Sequence, residues 1–408
     1  MEHIDRPVVI GGGAAGLAAC LTLQAAGMSP LLLEASDRLG GRLRTEQMAD
    51  GTRVDVGFQV LLTAYPELKR WVDMSALEPV RFVPGARIHK GGRWRTLADP
   101  RRRPGTLPAT LTSGIGTWAD RFRMLRLVLE VMRGSAEDVQ SRATSGTALD
   151  DLKARGFSEG FIRDFLQSFF SGIFLDKALT PPPAQFLYTL RMFASGDVVR
   201  PAGGVEALVH QLQGKLERTE VRLQQRVVSF ESGHILTEHG ADWVAPQIIC
   251  TVPSLLDGRP PVRWHGCLNV VFATSERSFG KPIIGLLPEA HSVTNFHFME
   301  DVQGAEGQGK LNATAVLEYG QNVDGAVLAM QSDLRAAGLA VGEVLWKAHI
   351  PEALPAMREV RPAMAQPKIS EGLYIAGDAT AAPSLDAALR SGRVAAEALI
   401  QSKRSTTP

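Results

Sequence analysis

Short unbroken apolar runs alternate with stretches of helical spacing along this 408-residue chain. Val8-Val9-Ile10 leads through Gly11-Gly12-Gly13 into Ala14-Ala15-Gly16-Leu17-Ala18-Ala19-Cys20-Leu21, the order of strand, tight turn and helix. A second run, Pro30-Leu31-Leu32-Leu33, closes a βαβ unit and ends on Glu34. Residues 121–132 place Phe122, Leu125, Val128, Leu129 and Met132 at helical steps, which predicts an amphipathic helix. Residues 149–174 continue helical, with breaks at Gly156 and Gly160 and an aromatic stripe of Phe161, Phe165, Phe169, Phe170 and Phe174. That stripe is either the core of a helical subdomain or the wall of a hydrophobic tunnel, and periodicity does not choose between them.

Pro181-Pro182-Pro183 is the clearest punctuation. Beyond it the pattern predicts a helix from Pro201 to about Glu217, alternating strands over 221–230, and a buried strand over 248–252. Strands and a helix (323–337) follow over 260–350, then a buried strand over 372–378 and a last helix from about 387. There is no internal repeat and no low-complexity tract. The fold class is α/β: a discontinuous dinucleotide-binding domain from residues 1–64, 200–258 and 358–408. A substrate domain from 65–199 and 259–357 is inserted into it, α+β in type, with a helical part at about 105–195.

The chemistry enters at the first turn. Gly11, Gly13 and Gly16 have the GxGxxG spacing, in which one glycine turns the chain, one admits a pyrophosphate to the backbone and one packs helix on strand. The diphosphate then rests on the free N–H groups of the helix start, at Ala14 and Ala15. Glu34 stands where such a unit offers a carboxylate to the adenosine ribose. The following Arg38 and Arg42 supply planar donors for phosphate oxygens, and Gly40-Gly41 lets the chain pass close under a flat ligand. At the far end Gly377-Asp378 closes a strand, where an Asp can accept from a ribityl hydroxyl and the next helix start can stabilise a reduced isoalloxazine. One extended cofactor reaching both ends of the chain is FAD. Without that context Arg38 and Arg42 read as surface charges, and Asp378 as a helix cap.

These motifs, in this order, resemble the flavin-containing amine oxidase superfamily, with its amine oxidases, protoporphyrinogen oxidase and carotenoid desaturases. The narrower likeness is to the plant and cyanobacterial type of phytoene desaturase and its bacterial relatives. It rests on Val54-Asp55-Val56-Gly57-Phe58-Gln59-Val60-Leu61-Leu62-Thr63-Ala64-Tyr65-Pro66, on Asn269-Val270-Val271-Phe272 with Ser275-Glu276-Arg277, and on Ile350-Pro351 with Ala353-Leu354-Pro355. Phe58-Gln59 stands where the desaturases have Leu-His. The resemblance implies a Rossmann-like FAD-binding domain of the glutathione-reductase/amine-oxidase type. It adds Ala35, Gly57, Phe58, the backbone of Val227 (against adenine), Ala387 and Ala388 to the cofactor residues.

The same resemblance separates subfamilies by absences. Amine oxidases carry a lysine on a substrate-domain strand where this chain has Asn269, and an aromatic residue before the final helix where it has Ala381-Ala382-Pro383-Ser384. No cysteine lies there, so FAD is expected to bind without a covalent link. The expected function is dehydrogenation of a hydrophobic, isoprenoid or carotenoid-like substrate by hydride transfer to flavin N5, with oxygen or a quinone as electron acceptor. Such chemistry needs no catalytic triad and no metal, and none is suggested. Asn269, His297 and His349 are the residues to inspect for catalysis, a structural or surface histidine being the ordinary alternative for the last two. The rivals are an amine oxidase using oxygen, a prenyl-lipid binder of the GDP-dissociation-inhibitor type, and a pyridine-nucleotide dehydrogenase. Arg42 and Gly377-Asp378 argue against the lipid binder, and the Gly377-Asp378 strand against the pyridine-nucleotide dehydrogenase.

Composition narrows the setting. A hydrophobic content of 45% with 21% charged residues excludes a mostly disordered chain, and a net charge of +1 gives no field that favours nucleic acid. Cys20, Cys250 and Cys267 are far apart and read as buried reduced thiols of a cytoplasmic protein. The glycine turn at Gly11 leaves no room for a secretory signal ahead of it. Arg101-Arg102-Arg103 followed by Leu107, Leu111, Ile115 and Trp118 is a basic and apolar neighbourhood suited to peripheral contact with anionic lipid, or to ordinary packing on the domain.

Overall fold

The computed structural model describes residues 2–57, 60–142, 145–231, 233–255, 262–318, 320–357 and 366–406. Phe58 and the domain boundaries expected near 258 and 358 lie outside them. The organising element is a six-stranded sheet in the order 220–222, 31–33, 8–10, 248–250, 373–375 and 368–370. Its first five strands are parallel, with Val8 beside Leu31 on one side and Ile248 on the other. The runs are entirely apolar because helices or other layers cover both faces. Val8–Ile10, Leu31–Leu33 and Ile248–Cys250 are buried throughout. The order reverses beside Val8–Ile10, so a crevice opens at the carboxyl ends of these strands, where such sheets hold ligands.

Two helices from opposite ends of the chain pack together on this sheet, Ala14–Ala25 and Leu385–Thr406. The first is small or aliphatic except for Thr22 and Gln24, and nine of its twelve residues are buried. Beside the cofactor sheet stands a four-stranded sheet in which Val227–Glu231 pairs with His234–Thr237. The second large sheet has seven strands in the order 341–355, 264–274, 310–317, 293–298, 284–286, 85–90 and 93–98. Its own core gathers Leu268, Val270 and Phe272 with Phe296, Phe298 and the Val323–Ala336 helix.

The helical region occupies residues 107–195. The helix expected at 121–132 spans Trp118–Val131, started by a Thr117–Asp120 capping box. Its orientation is the surprise: Leu127, Val128 and Val131 face the core, while Phe122, Leu125, Leu129 and Met132 are exposed. The expected helical stretch at 149–174 is broken after Ala154, where Gly156 takes φ of +81°. Gly160 does not break it, since it lies inside the next helix, which runs from Glu159 to Phe174 with a wider π turn at Ile162–Gln167. The helix expected from Pro201 to about Glu217 is shorter, Glu206–Gln213.

Candidate active site

A continuous cavity of about 870 Å³ starts at the glycine turn and runs to the helical region. At its inner end lie Gly11, Gly13, Ala14, Ala15, Glu34 and Gly40 to Arg42 on one side, and Gly377, Asp378, Leu385 and Ala388 on the other. Both helix starts therefore face the same space, as the positive ends of two helix dipoles.

The glycines divide into two kinds by what surrounds them. Gly11 has φ of +100° and a Cβ there would lie 2.3 Å from the Thr251 hydroxyl, and one on Gly16 would lie 1.9 Å from the Gly11 carbonyl. These two exist so that the chain can turn and pack. Gly13 is different, because a Cβ there would meet nothing within 4 Å and would project from the cavity wall into open space. It is also the N-cap of the first helix and offers no side chain to the free amides behind it. An uncapped helix start, with no acid in its first turn and an open cradle before it, suits a diphosphate.

Glu34 anchors the neighbouring loop. Its carboxylate accepts from the Gly12 N–H at 2.6 Å and from the Ser36 N–H and hydroxyl at 2.8 Å each. The Gly40 N–H donates to the Gly12 carbonyl at 2.9 Å, so the two glycine loops clasp each other. Arg42 Nη2 donates to Asp378 Oδ1 at 2.6 Å, its Nη1 donates to the Ala353 carbonyl at 3.0 Å, and its guanidinium lies over the Trp264 ring. That set of contacts ties residues 336 positions apart across the inner end of the cavity.

Further out the wall is apolar. Gly57, Tyr65, Cys267 and Ile350 lead to Phe161, Phe165, Phe169, Phe170 and Phe193, and the outer end reaches Leu107, Leu111, Trp118 and Leu125 with Arg101, Arg102 and Arg121. The Phe stripe left open by periodicity is therefore tunnel wall at four of its five positions, and Phe174 is buried behind it. Every acid in the lining is already engaged: Glu34 as above, Asp378 by Arg42, and Asp99 by Arg101.

Several expected site residues do not reach this wall. Arg38 turns to Glu206 at 3.4 Å, because the carboxylate beside Thr45 draws it away from the crevice. Ala35, Val227 and Ala387 also stand behind the lining, although Gln225 N–H bonds the Glu34 carbonyl and so brings the Val227 strand close. His297 is buried beside Phe82, and burial with the nearby Arg200 charge pushes its pKa down to about 3, so the ring is neutral. Asn269 is fully buried, donating to the Asp55 carbonyl at 2.9 Å and accepting from the Thr314 hydroxyl at 3.3 Å. Neither lines the cavity, and His349 is exposed on the sheet surface. Thr251, Cys267, Thr314, Ile350 and Ala353 line it without having been singled out as site residues. Thr251 was accessible to reasoning, since it ends a strand whose carboxyl end faces the crevice. Cys250 and Cys267 are free thiols pushed up to about 12 by burial, and Cys20 is raised further.

Residues 14–256 match the family described as flavin containing amine oxidoreductase. The chain belongs to that family. Its fold agrees with an oxidoreductase from Methanosarcina mazei, with a TM-score of 0.70 over 97% of this chain and 99% of that one at 16% identity. Coproporphyrinogen III oxidase of Mycobacterium tuberculosis (strain ATCC 25618 / H37Rv) is 28% identical over 300 residues, 65% of this chain. The chain spans 64% of the length of that relative. The 15-cis-phytoene desaturase of Arabidopsis thaliana is 40% identical over 64 residues, 16% of this chain and 11% of that protein. The cofactor of this flavin-containing family fits the inner end: an open cradle at an uncapped helix start, the Glu34 carboxylate beside it and a second helix start within one cavity. Among the described residues no helix is long and apolar enough to cross a membrane, and no group of acids, histidines and cysteines could hold a metal.

Proposed function

We propose that this protein is an FAD-dependent dehydrogenase of an extended apolar substrate, isoprenoid or carotenoid-like in class. The observation that carries the reading is the cavity itself, which leaves the glycine cradle and continues along an aromatic and aliphatic wall. Such a wall binds by excluding water from apolar surface, about 25 cal/mol for each Å² buried. It offers an ammonium no acid of its own, because Glu34 and Asp378 lie at the cradle end and Asp99 is held by Arg101.

In this reading Gly13, Ala14 and Ala15 hold the diphosphate, Glu34 takes the ribose hydroxyls, and Asp378, oriented by Arg42, accepts from the ribityl chain. Flavin held there would supply two-electron chemistry: acceptance of a hydride from a C–H bond, with dioxygen or a quinone as the final acceptor. The protein aligns that bond along Phe165, Phe169 and Phe193, and the proton lost from the neighbouring carbon passes to water at the open end of the cavity, to be taken up with the two electrons by the reduced acceptor. His297 is set too deep in the core to receive it.

A second substrate class has one observation in its favour. Arg121 lines the outer end of the cavity and makes no ion pair among the described residues, so a carboxylate on an otherwise apolar body, such as a porphyrinogen, would meet a cation there. Anaerobic reduction of the flavin-loaded protein separates the readings. Bleaching of the yellow absorbance by a polyene supports the first, by a porphyrinogen the second, and by putrescine or another amine would overturn both.

A further inference from the structure

We propose that the face formed by Leu107–Thr112 and the outer side of Trp118–Val131 docks on an anionic phospholipid bilayer, with the cavity opening onto that bilayer. Trp118, Phe122, Leu125 and Leu129 recur at steps of four, three and four residues and so form one line along the helix. Trp118 is 70% exposed, Phe122 67% and Leu129 49%. Leu107 and Leu111, one turn apart on the short helix before it, are exposed as well. A contiguous apolar surface rimmed by polar groups marks an interaction site rather than ordinary solvent contact. A tryptophan suits it, since its ring settles at the boundary between headgroups and acyl chains.

Charge selects the occupant. Arg103, Arg126 and Arg133 are exposed around the stripe, and Arg103 and Arg133 make no ion pair among the described residues. The acids of the long helix are turned away from it: Asp120 is buried in the helix cap, and Glu130 is held by Arg142 and Arg155. An apolar line flanked by Arg103, Arg126 and Arg133, of which only Arg126 feels the nearby Glu130, complements anionic headgroups over acyl chains.

The cavity supplies an independent reason. Leu107, Leu111, Trp118 and Leu125 are exposed and also line its outer end, so the tunnel opens within the patch. A substrate insoluble in water would then pass from lipid to the flavin without crossing solvent. That route rests on the substrate reading above, whereas docking rests on the patch alone.

Flotation of the full-length protein with phosphatidylcholine vesicles, with and without phosphatidylglycerol, tests the docking. The wild type is expected to float with the anionic vesicles and to bind them at least tenfold more strongly than the neutral ones. Phe122→Ser with Leu129→Ser should weaken binding more than tenfold, and Arg126→Glu or Arg133→Glu each about fivefold or more. Phe122→Leu should retain it. All these side chains are exposed, so thermal melts should match the wild type. Wild-type protein that stays with the soluble fraction, or serine variants that float as well as it does, would overturn the proposal. So would a wild-type dimer that the serine variant turns into a monomer, because a second copy would then be what covers the patch. Flotation needs neither substrate nor turnover, so its failure is distinct from a failure of the proposed reaction.

Discussion

Gly392 in the final helix lies so close to Ala15 in the first that a Cβ on Gly392 would sit 1.9 Å from the Ala15 carbonyl oxygen. The two helices could not approach to this distance with any larger residue there. Their contact brings Ala14 and Ala15 to the same cavity as Leu385 and Ala388, so a helix-packing detail decides whether both dipoles act on one cofactor.

Gly392→Ala should therefore push the helices apart. Overpacking of this kind costs about 1–3 kcal/mol, and the loss should appear as a lower Tm together with weaker FAD retention on gel filtration. An alanine variant with wild-type melting and wild-type flavin content would show that the helices have slack to spare.

Arg42 holds Asp378 with one nitrogen and the Ala353 carbonyl with another, while lying over Trp264. Arg42→Lys keeps the charge and loses the fork and the flat face. Because Arg42 is partly exposed, the direct ion pair is screened, and a loss of about 1 kcal/mol, near fivefold in FAD affinity, is expected. Arg42→Ala should lose more. Flavin fluorescence titration measures both, and a lysine variant with unchanged affinity would make the fork irrelevant.

Glu34 presents a sharper case, because its carboxylate satisfies the buried Gly12 N–H. Glu34→Ala leaves that donor unpaired, at about 1–3 kcal/mol, and removes the proposed ribose acceptor as well. The two losses separate in one experiment: Tm of the flavin-free protein reports the first, and the further drop in FAD affinity reports the second. No change in the flavin-free melt would mean that water takes over the Gly12 donor.

The glycine turn was legible because its requirements fall on the backbone, and a backbone that must turn or pack closely writes glycine into the chain. Gly11, Gly13 and Gly16 could be assigned distinct tasks before any contact was known. Asn269 and His297 could not, because alternation along a strand says which residues share a side but not what that side faces. Cys267 and Asn269 share a side of their strand, yet Cys267 reaches the cavity while Asn269 is spent on the Asp55 carbonyl. The Trp118–Val131 helix had the same ambiguity: its apolar spacing was evident, but its outward direction depends on Leu127, Val128 and Val131 having taken the core.

The neutral, buried His297 makes stability depend on pH. Its pKa is about 3 in the folded protein, below the ordinary value of 6.5, so between those values the unfolded chain binds the extra proton. Stability from this group is full above the ordinary value and falls as pH drops toward the folded one. Between pH 7 and 5 the loss is about 2 kcal/mol. His297→Gln should flatten the decline of Tm over that interval, although other groups will still titrate. An equally steep decline in the variant would remove His297 as a source of it.

Phe169 tests whether the outer wall serves the substrate or only the fold. Its ring lies 5.8 Å from Phe165, 5.4 Å from Phe170 and 5.3 Å from Phe193, measured between centroids, and it lines the cavity away from the cofactor cradle. Phe169→Leu keeps an apolar wall and should leave KM within a few-fold. Phe169→Asn puts an amide against a substrate that cannot bond it, which should cost about 1–3 kcal/mol and raise KM tenfold or more. FAD affinity should be the same in both, since neither touches the cradle. If the asparagine variant turned over an apolar substrate as readily as the leucine one, the aromatic wall would be packing and the substrate would have to lie elsewhere.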